Sequence, residues 1–387
     1  MTTSTSRSLR LHRIDGEERK IGWLELFYDL IYVATIIQLG DLLARDATPR
    51  GALLFVCLFV PVWWSWTGMM FYFNRFVADD AWHRVLVFAQ MLAIAHLGIS
   101  VTGVIGETSA AFALAYFAIR AILVAFYARA YRVVPAARPL IGRYAVGFSL
   151  AAGVWLLSAF VPPPYRFALW GVGLAVEFYV TLSPGSRRLQ HLLPPDPPHF
   201  AERYGLFTII VLGESFIKVV GGLAGASVGV DALVLSGLGL AVAACVWWLY
   251  FDHTHVAVLH STPTARYVWI YGHLPLTVGI TALGVGLKQL TLLPLAEPAS
   301  DSARWLVGGA VALCLSALAA LDSVGAGARR RDVRSAVAAR LSAAVLVVAI
   351  TGFGSGAPAG LFALAIALTC VALVAHLARS APAGRHP

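Results

Sequence analysis

Apolar residues run along this chain in long blocks, separated by short polar or Pro/Gly-rich stretches. Blocks begin near Gly22, Gly51, Val85, Ala110, Tyr144, Phe167, Tyr204, Ala232, Tyr267, Trp305, Leu341 and Ala359. Each can cross the hydrocarbon core of a bilayer as an α-helix, which takes ~20 mostly apolar residues. The pattern predicts an all-α integral membrane protein with about twelve transmembrane helices. The eleventh block is the weakest, because GFGSGAPAG (Gly352–Gly360) interrupts it early.

The basic residues orient this array. With the N-terminus in the cytoplasm, the inside segments hold most of the 29 Lys and Arg residues, from Arg7–Lys20 to Arg379 and Arg385. Only Arg45, Arg50, Arg166 and Arg304 fall outside, and Arg120, Lys218 and Lys288 lie within spans. Cytoplasmic loops carry the excess of basic residues in membrane proteins. Both termini are therefore expected in the cytoplasm. The halves also resemble each other at an offset of about 184 residues, where Trp63-Trp64-Ser65-Trp66 matches Trp247-Trp248-Leu249-Tyr250. Gln90 then falls opposite His273, and Asp29 opposite Glu214. Six spans per half make this a parallel repeat, and repeat interfaces often hold functional sites. The expected division is a cytoplasmic arm (1–20), a first six-helix half (21–183), a linker (184–203), a second half (204–379) and a tail (380–387).

Composition agrees with a membrane location. The chain is 59% hydrophobic and 13% charged, where soluble domains carry ~25% charged residues. The net charge of +9 then marks cytoplasmic loops, not a nucleic-acid surface. Met1–Lys20 lacks an apolar core and a small-residue cleavage site, so it is read as an arm and not as a signal peptide. Cys57, Cys245, Cys314 and Cys370 all lie in apolar runs without a CxxC pair, and read as small buried hydrophobes.

Charged groups inside the spans change the picture further. A charge at mid-bilayer costs at least ~2.5–3.5 kcal/mol on insertion scales, so such groups face protein and find partners. Glu25 and Asp29 are four apart in WLELFYDLIYV and share one helix face with Tyr32 and Ile36. Two carboxylates so close repel as anions, so one of them is expected to hold a proton. The alternative for Glu25 is that it reaches the interface. Glu214 and Lys218 are also four apart, in an order that favours a self-contained ion pair. Arg120 and Glu177 lie near mid-membrane, and Arg120 needs Glu177 or Asp29 as partner. Asp29, Glu177 and Glu214 against Arg120 and Lys218 leave one acid over, to carry a proton or meet a cation. Gln38 and Asp41 point to the opposite face of the first span; Gln38 is expected to bond a neighbouring helix and Asp41 to be solvated.

ELFYDLIYVATIIQL (Glu25–Leu39) and ERYGLFTIIVLGES (Glu202–Ser215) together resemble the two hallmark motifs of the bacterial low temperature requirement protein A family. The resemblance runs from about Gly22 to Leu377. Glu25, Phe27, Asp29 and Gln38 match the first motif; Glu202, Arg203, Gly205, Leu206, Phe207, Gly213 and Glu214 match the second. The family is one of polytopic membrane proteins, named for growth at low temperature. The resemblance implies a topology and no settled activity.

Weaker signals complete the list. His96 and His273 lie within spans, where a histidine relays protons or simply packs. FDHTHVAVLH (Phe251–His260) holds an HxH beside an acid but no second cluster, so no metal is assigned. The Trp63–Trp66 and Trp247–Trp248 groups are expected in aromatic belts at the membrane interface. Arg329–Arg334 reads as a topology determinant. No P-loop, GxSxG, HExxH or dinucleotide fingerprint is present, and no cofactor is expected. The favoured function is a multi-pass cell-membrane transporter or channel for a proton, cation or small solute. Its candidate residues are Asp29, Glu214, Glu177, Arg120, Lys218 and Glu25, with His273, Gln90, His96 and Gln38 secondary. An intramembrane enzyme acting on a lipid or isoprenoid, and a structural or stress-related membrane protein, stay open. So does assembly as a homo-oligomer. The bilayer and a small ion or solute are the expected partners.

Overall fold

In the computed structural model the described residues are 9–11, 21–191, 193–223, 229–252, 262–324 and 331–380. Among them the protein is all-α apart from one two-residue strand pair. The helices are α1 (Trp23–Arg45), α2 (Pro49–Arg75), α3 (Ala81–Ile99), α4 (Ser109–Val133), α5 (Arg138–Ser158), α6 (Tyr165–Leu182), α7 (Pro184–Gln190), α8 (Pro197–Leu223), α9 (Val230–Phe251), α10 (Pro263–Leu290), α11 (Asp301–Ser323), α12 (Arg331–Phe353) and α13 (Ala359–Ser380). The strands β1 (Arg10–Leu11) and β2 (Phe76–Val77) pair antiparallel. Eleven of the described helices are each long and apolar enough to cross a membrane. Counting the pair α6 and α7, bent by 49°, as one span brings the number to twelve.

Helix faces follow from burial. In α3 the inward positions are His83, Val87, Gln90, Ile94 and Leu97, spaced four, three, four and three apart. This is one stripe of a 3.6-residue helix. The opposite positions Val85, Phe88, Leu92 and Ile99 are exposed and equally apolar. Such a helix is apolar all round, as a lipid-facing segment must be.

The chain groups into two compact units. One comprises the residues up to Leu39 with Leu58–Arg203, and the other Gly40–Cys57 with the residues from Tyr204 onward. In the first unit α3, α4, α5 and α6 pack in sequence, and α7 lies against α5 and α6. An aromatic column fills the space between them: Tyr116 lies 4.0 Å from Trp155, which stacks on Trp170 at 5.5 Å. In the second unit α11 packs against α9, α10 and α12, and α13 against α9 and α12. The inward side of α11 is rich in small residues, among them Ala303, Gly308, Ala310, Ala312, Cys314, Ala317 and Ala319. Small residues let membrane helices approach closely where apolar burial alone gives no drive.

Two expectations need correction. The eleventh span begins at Arg331, ten residues before Leu341, so GFGSGAPAG ends a full helix and does not shorten it. Gly356, at φ +80, makes the turn that follows, a conformation that favours glycine. The start of α13 is tied to the α10–α11 connection, with Ala359 N donating to Glu297 O at 2.7 Å and Gly360 N to Leu295 O at 3.0 Å. Arg340, read as an inside-loop arginine, is buried within α12, where it pairs with Asp322. The HxH segment from His253 to His260, Arg329–Arg330, most of the N-terminal arm and the tail from Ala381 lie outside the described residues.

Candidate functional site

The first helix turns one polar face inward. Glu25, Tyr28, Asp29 and Tyr32 are all buried, while Phe27 and Leu30 on the other side are exposed. Arg203, fully buried near the start of α8, reaches both acids of this face. Its Nη1 donates to Glu25 Oε2 at 2.6 Å and its Nη2 to Asp29 Oδ1 at 2.5 Å. One guanidinium thus bridges two carboxylates a helical turn apart, a match its planar fork makes readily. Trp66 Nε1 on α2 donates to the same Asp29 oxygen at 2.8 Å. Phe73 on α2 lies under the guanidinium, 5.7 Å from Arg203 Cζ to the ring centre.

A second layer fixes this arrangement. Asn74 Nδ2 donates to Asp196 O at 2.9 Å, and Asp196 N donates to Asn74 Oδ1 at 2.7 Å. These two bonds orient the Asn74 amide, whose Nδ2 also reaches His199 Nδ1 at 3.3 Å. With Nδ1 accepting, His199 carries its hydrogen on Nε2 and donates it to Glu25 Oε2, 3.2 Å away. Glu25, Asp29 and Arg203 then sum to one negative charge unless a carboxyl holds a proton. Asp29 Oδ2 is buried and without a hydrogen-bond partner among the described residues. It is the atom of the cluster left to take a proton or a cation.

The remaining inward groups of α1 continue into a hydroxyl chain. Tyr28 Oη donates to Gln90 Oε1 at 3.2 Å and lies 3.3 Å from Tyr32 Oη, and Tyr32 Oη is 2.9 Å from Ser65 Oγ. Gln90 Nε2 donates to Ile119 O at 3.1 Å. Deeper in the same unit Arg120 and Glu177, both fully buried, form a second pair. Arg120 Nε donates to Glu177 Oε1 at 3.0 Å and its Nη2 pairs with Oε2. Tyr116 Oη accepts from Arg120 Nη2 at 2.7 Å.

The second unit is built differently. Lys218 Nζ pairs with Asp41 Oδ1 at 2.7 Å and not with Glu214. Glu214 is half-buried and forms no ion pair among the described residues. Asp41, expected to be solvated, is the partner, and its own side chain is 44% exposed. His273 is buried, with Nδ1 donating to Trp269 O at 2.7 Å and Nε2 accepting from Tyr250 Oη at 3.0 Å. Both nitrogens are used within the helix packing. His96 is not buried: it lies on the exposed side of α3 with Leu92, where its Nδ1 donates to Leu92 O at 2.8 Å. Gln38 is half-buried and shows no side-chain hydrogen bond among the described residues.

The structure therefore brings together Glu25 and Asp29, and separately Arg120 and Glu177. Three members of the first cluster were missed. Arg203 counted as a loop arginine, Trp66 as part of an aromatic belt, and His199 as part of a Pro-rich linker. Trp63, Trp64 and Trp66 are in fact buried, while Trp247 and Trp248 are exposed, as a belt requires. The signal for Arg203 was its place in ERYG, within the first apolar turns of α8. Among the described residues no group of three or more His, Cys, Asp and Glu could hold a metal.

Many apolar helices with buried, mutually paired charges define a multi-pass helical membrane protein. The chain belongs to the bacterial low temperature requirement A protein family, whose model matches residues 20–377 and so includes both sequence motifs. It is similar to an uncharacterised protein of Rhizobium meliloti (strain 1021), with 28% identity over 295 residues, covering 71% of each chain. No solved structure matches it.

Proposed function

We propose that this protein is a transporter or channel of the cell membrane for a proton, a cation or a small solute, with Glu25, Asp29 and Arg203 as its ion-holding centre. One observation carries the reading: two buried carboxylates share one guanidinium, beside a histidine that hydrogen-bonds to one of them. Asp29 Oδ2, buried and without a hydrogen-bond partner among the described residues, is the exchangeable place for a proton or a cation. Intramembrane acids in such settings mark ion pathways. The arrangement of basic residues supports both termini in the cytoplasm and two parallel six-helix halves. In that repeat Glu214, which forms no ion pair among the described residues, takes the place opposite Asp29. Arg120 and Glu177 neutralise each other and hold α4 to α6.

The test is flux into proteoliposomes under imposed proton, sodium and potassium gradients, read with a pH-sensitive dye. Wild type is expected to carry flux. Glu25→Gln and Asp29→Asn are expected to lose it at least tenfold while staying folded, since each leaves one carboxylate for Arg203. Wild-type flux in both variants would sink the carboxylate role.

A further inference from the structure

The Arg120–Glu177 pair leaves one corner of the guanidinium unused. Nε and Nη2 point at Glu177 and Tyr116, while Nη1 has no hydrogen-bond partner among the described residues. Arg120 lines a small cavity of about 20 Å3, enough for one water-sized occupant. Two further polar atoms on residues of the cavity wall are buried without a partner, Thr67 Oγ1 and Thr181 Oγ1. Gly68 is also in the wall, and a Cβ there would lie 2.9 Å from Arg120 Nη1, so a side chain at this position crowds that nitrogen.

The sign of the charge around this space is one-sided. No carboxylate lines it. Glu177 is engaged by the other edge of the guanidinium. Phe71, also in the wall, carries Arg75 on its ring, 5.0 Å from Cζ to the centre. Arg75 is 4% exposed, donates to the backbone oxygens of Leu193 and Phe71, and has no carboxylate within ion-pair distance among the described residues. A buried guanidinium without a counter-charge favours an anion nearby. Trp64, Tyr127, Tyr144 and Phe148 supply the rest of the wall.

We infer that this cavity binds one small monovalent anion of halide size, held by Arg120 Nη1 and the hydroxyls of Thr67 and Thr181. None of Glu25, Asp29 and Arg203 lines this cavity. The anion compensates Arg75 and supplies acceptors for three otherwise unmatched donors.

The full-length protein in detergent is titrated with sodium bromide against sodium gluconate at constant ionic strength. Tryptophan emission is followed, because Trp64 lines the cavity and bromide quenches indole. The expected result is a saturable fall in emission that chloride displaces. Thr181→Val, which keeps the shape and removes one hydroxyl, is expected to weaken binding about tenfold; Gly68→Ala is expected to abolish it. Unfolding temperatures in gluconate show that each variant is folded, and Thr181→Val serves if Gly68→Ala is not. A linear response in wild type, or a saturable one that the folded variants leave unchanged, overturns the assignment.

Discussion

At the residue scale, the Glu25–Asp29–Arg203 triad makes stability depend on which charge is removed. Taking away one partner of a buried ion pair costs about 3–5 kcal/mol, because the other is left buried and uncompensated. Here one acid can go without that cost, since the second still neutralises Arg203. Glu25→Gln and Asp29→Asn are each expected to lower stability by no more than about 1–2 kcal/mol, in the range of a lost hydrogen bond. The double variant strands Arg203 and is expected to lose more than the sum of the two. Chemical or thermal unfolding in detergent measures this as a coupling between the two sites. Additive losses would mean that the guanidinium does not serve both acids. Two of the three members of this triad are plain in the sequence. An acid one turn below another in an apolar helix has few explanations. Arg203 was hidden because an arginine next to a span reads as a loop charge until the helix it belongs to is seen to begin at Pro197.

At the element scale, one polar joint ties the residue before α3 to the last turns of α4. Asp80 caps α3, accepting from His83 N at 3.0 Å, and takes both terminal nitrogens of Arg129 on α4, at 3.0 and 2.5 Å. Arg129 holds the Asp80 carboxyl below its ordinary range, with help from the His83 backbone donor and against partial burial. A carboxyl favoured as the anion in the folded state adds stability above its unfolded value of about 3.9, and that contribution fades as pH falls through the lower folded value. Asp80→Asn keeps a capping oxygen and removes the ion pair. Wild type is expected to unfold at a higher temperature than this variant at pH 6, and the gap is expected to close towards pH 3. A gap independent of pH would remove the ion pair from the account. The helices themselves were legible as blocks of hydropathy, and all twelve blocks are helices. Their ends were less so. The start of α12 carries arginines, and a window on apolar residues alone places it ten positions late. The exposed side of α3 is as apolar as its buried side, so no sequence pattern could tell that His96 faces outward while Gln90 faces in.

At the scale of the whole molecule, the α6–α7 bend decides the parity of the span count. If that pair is one crossing the chain has twelve, and both ends emerge on one face of the membrane. Reporter fusions at residues 1 and 387 are expected to be active only as cytoplasmic reporters. Opposite behaviour at the two ends would fit eleven crossings. The bridge from Asp29 to Arg203 also spans 174 residues of sequence. Membrane proteins are inserted as they are made, at about 5–20 residues per second. The first helix therefore enters the bilayer on the order of ten to thirty seconds before its counter-charge leaves the ribosome. During that interval its two acids must stay protonated or be shielded by the insertion machinery. The last step in closing the first unit is then the arrival of α8, and the chain acquires its central charge pairing only once more than half of it has been synthesised.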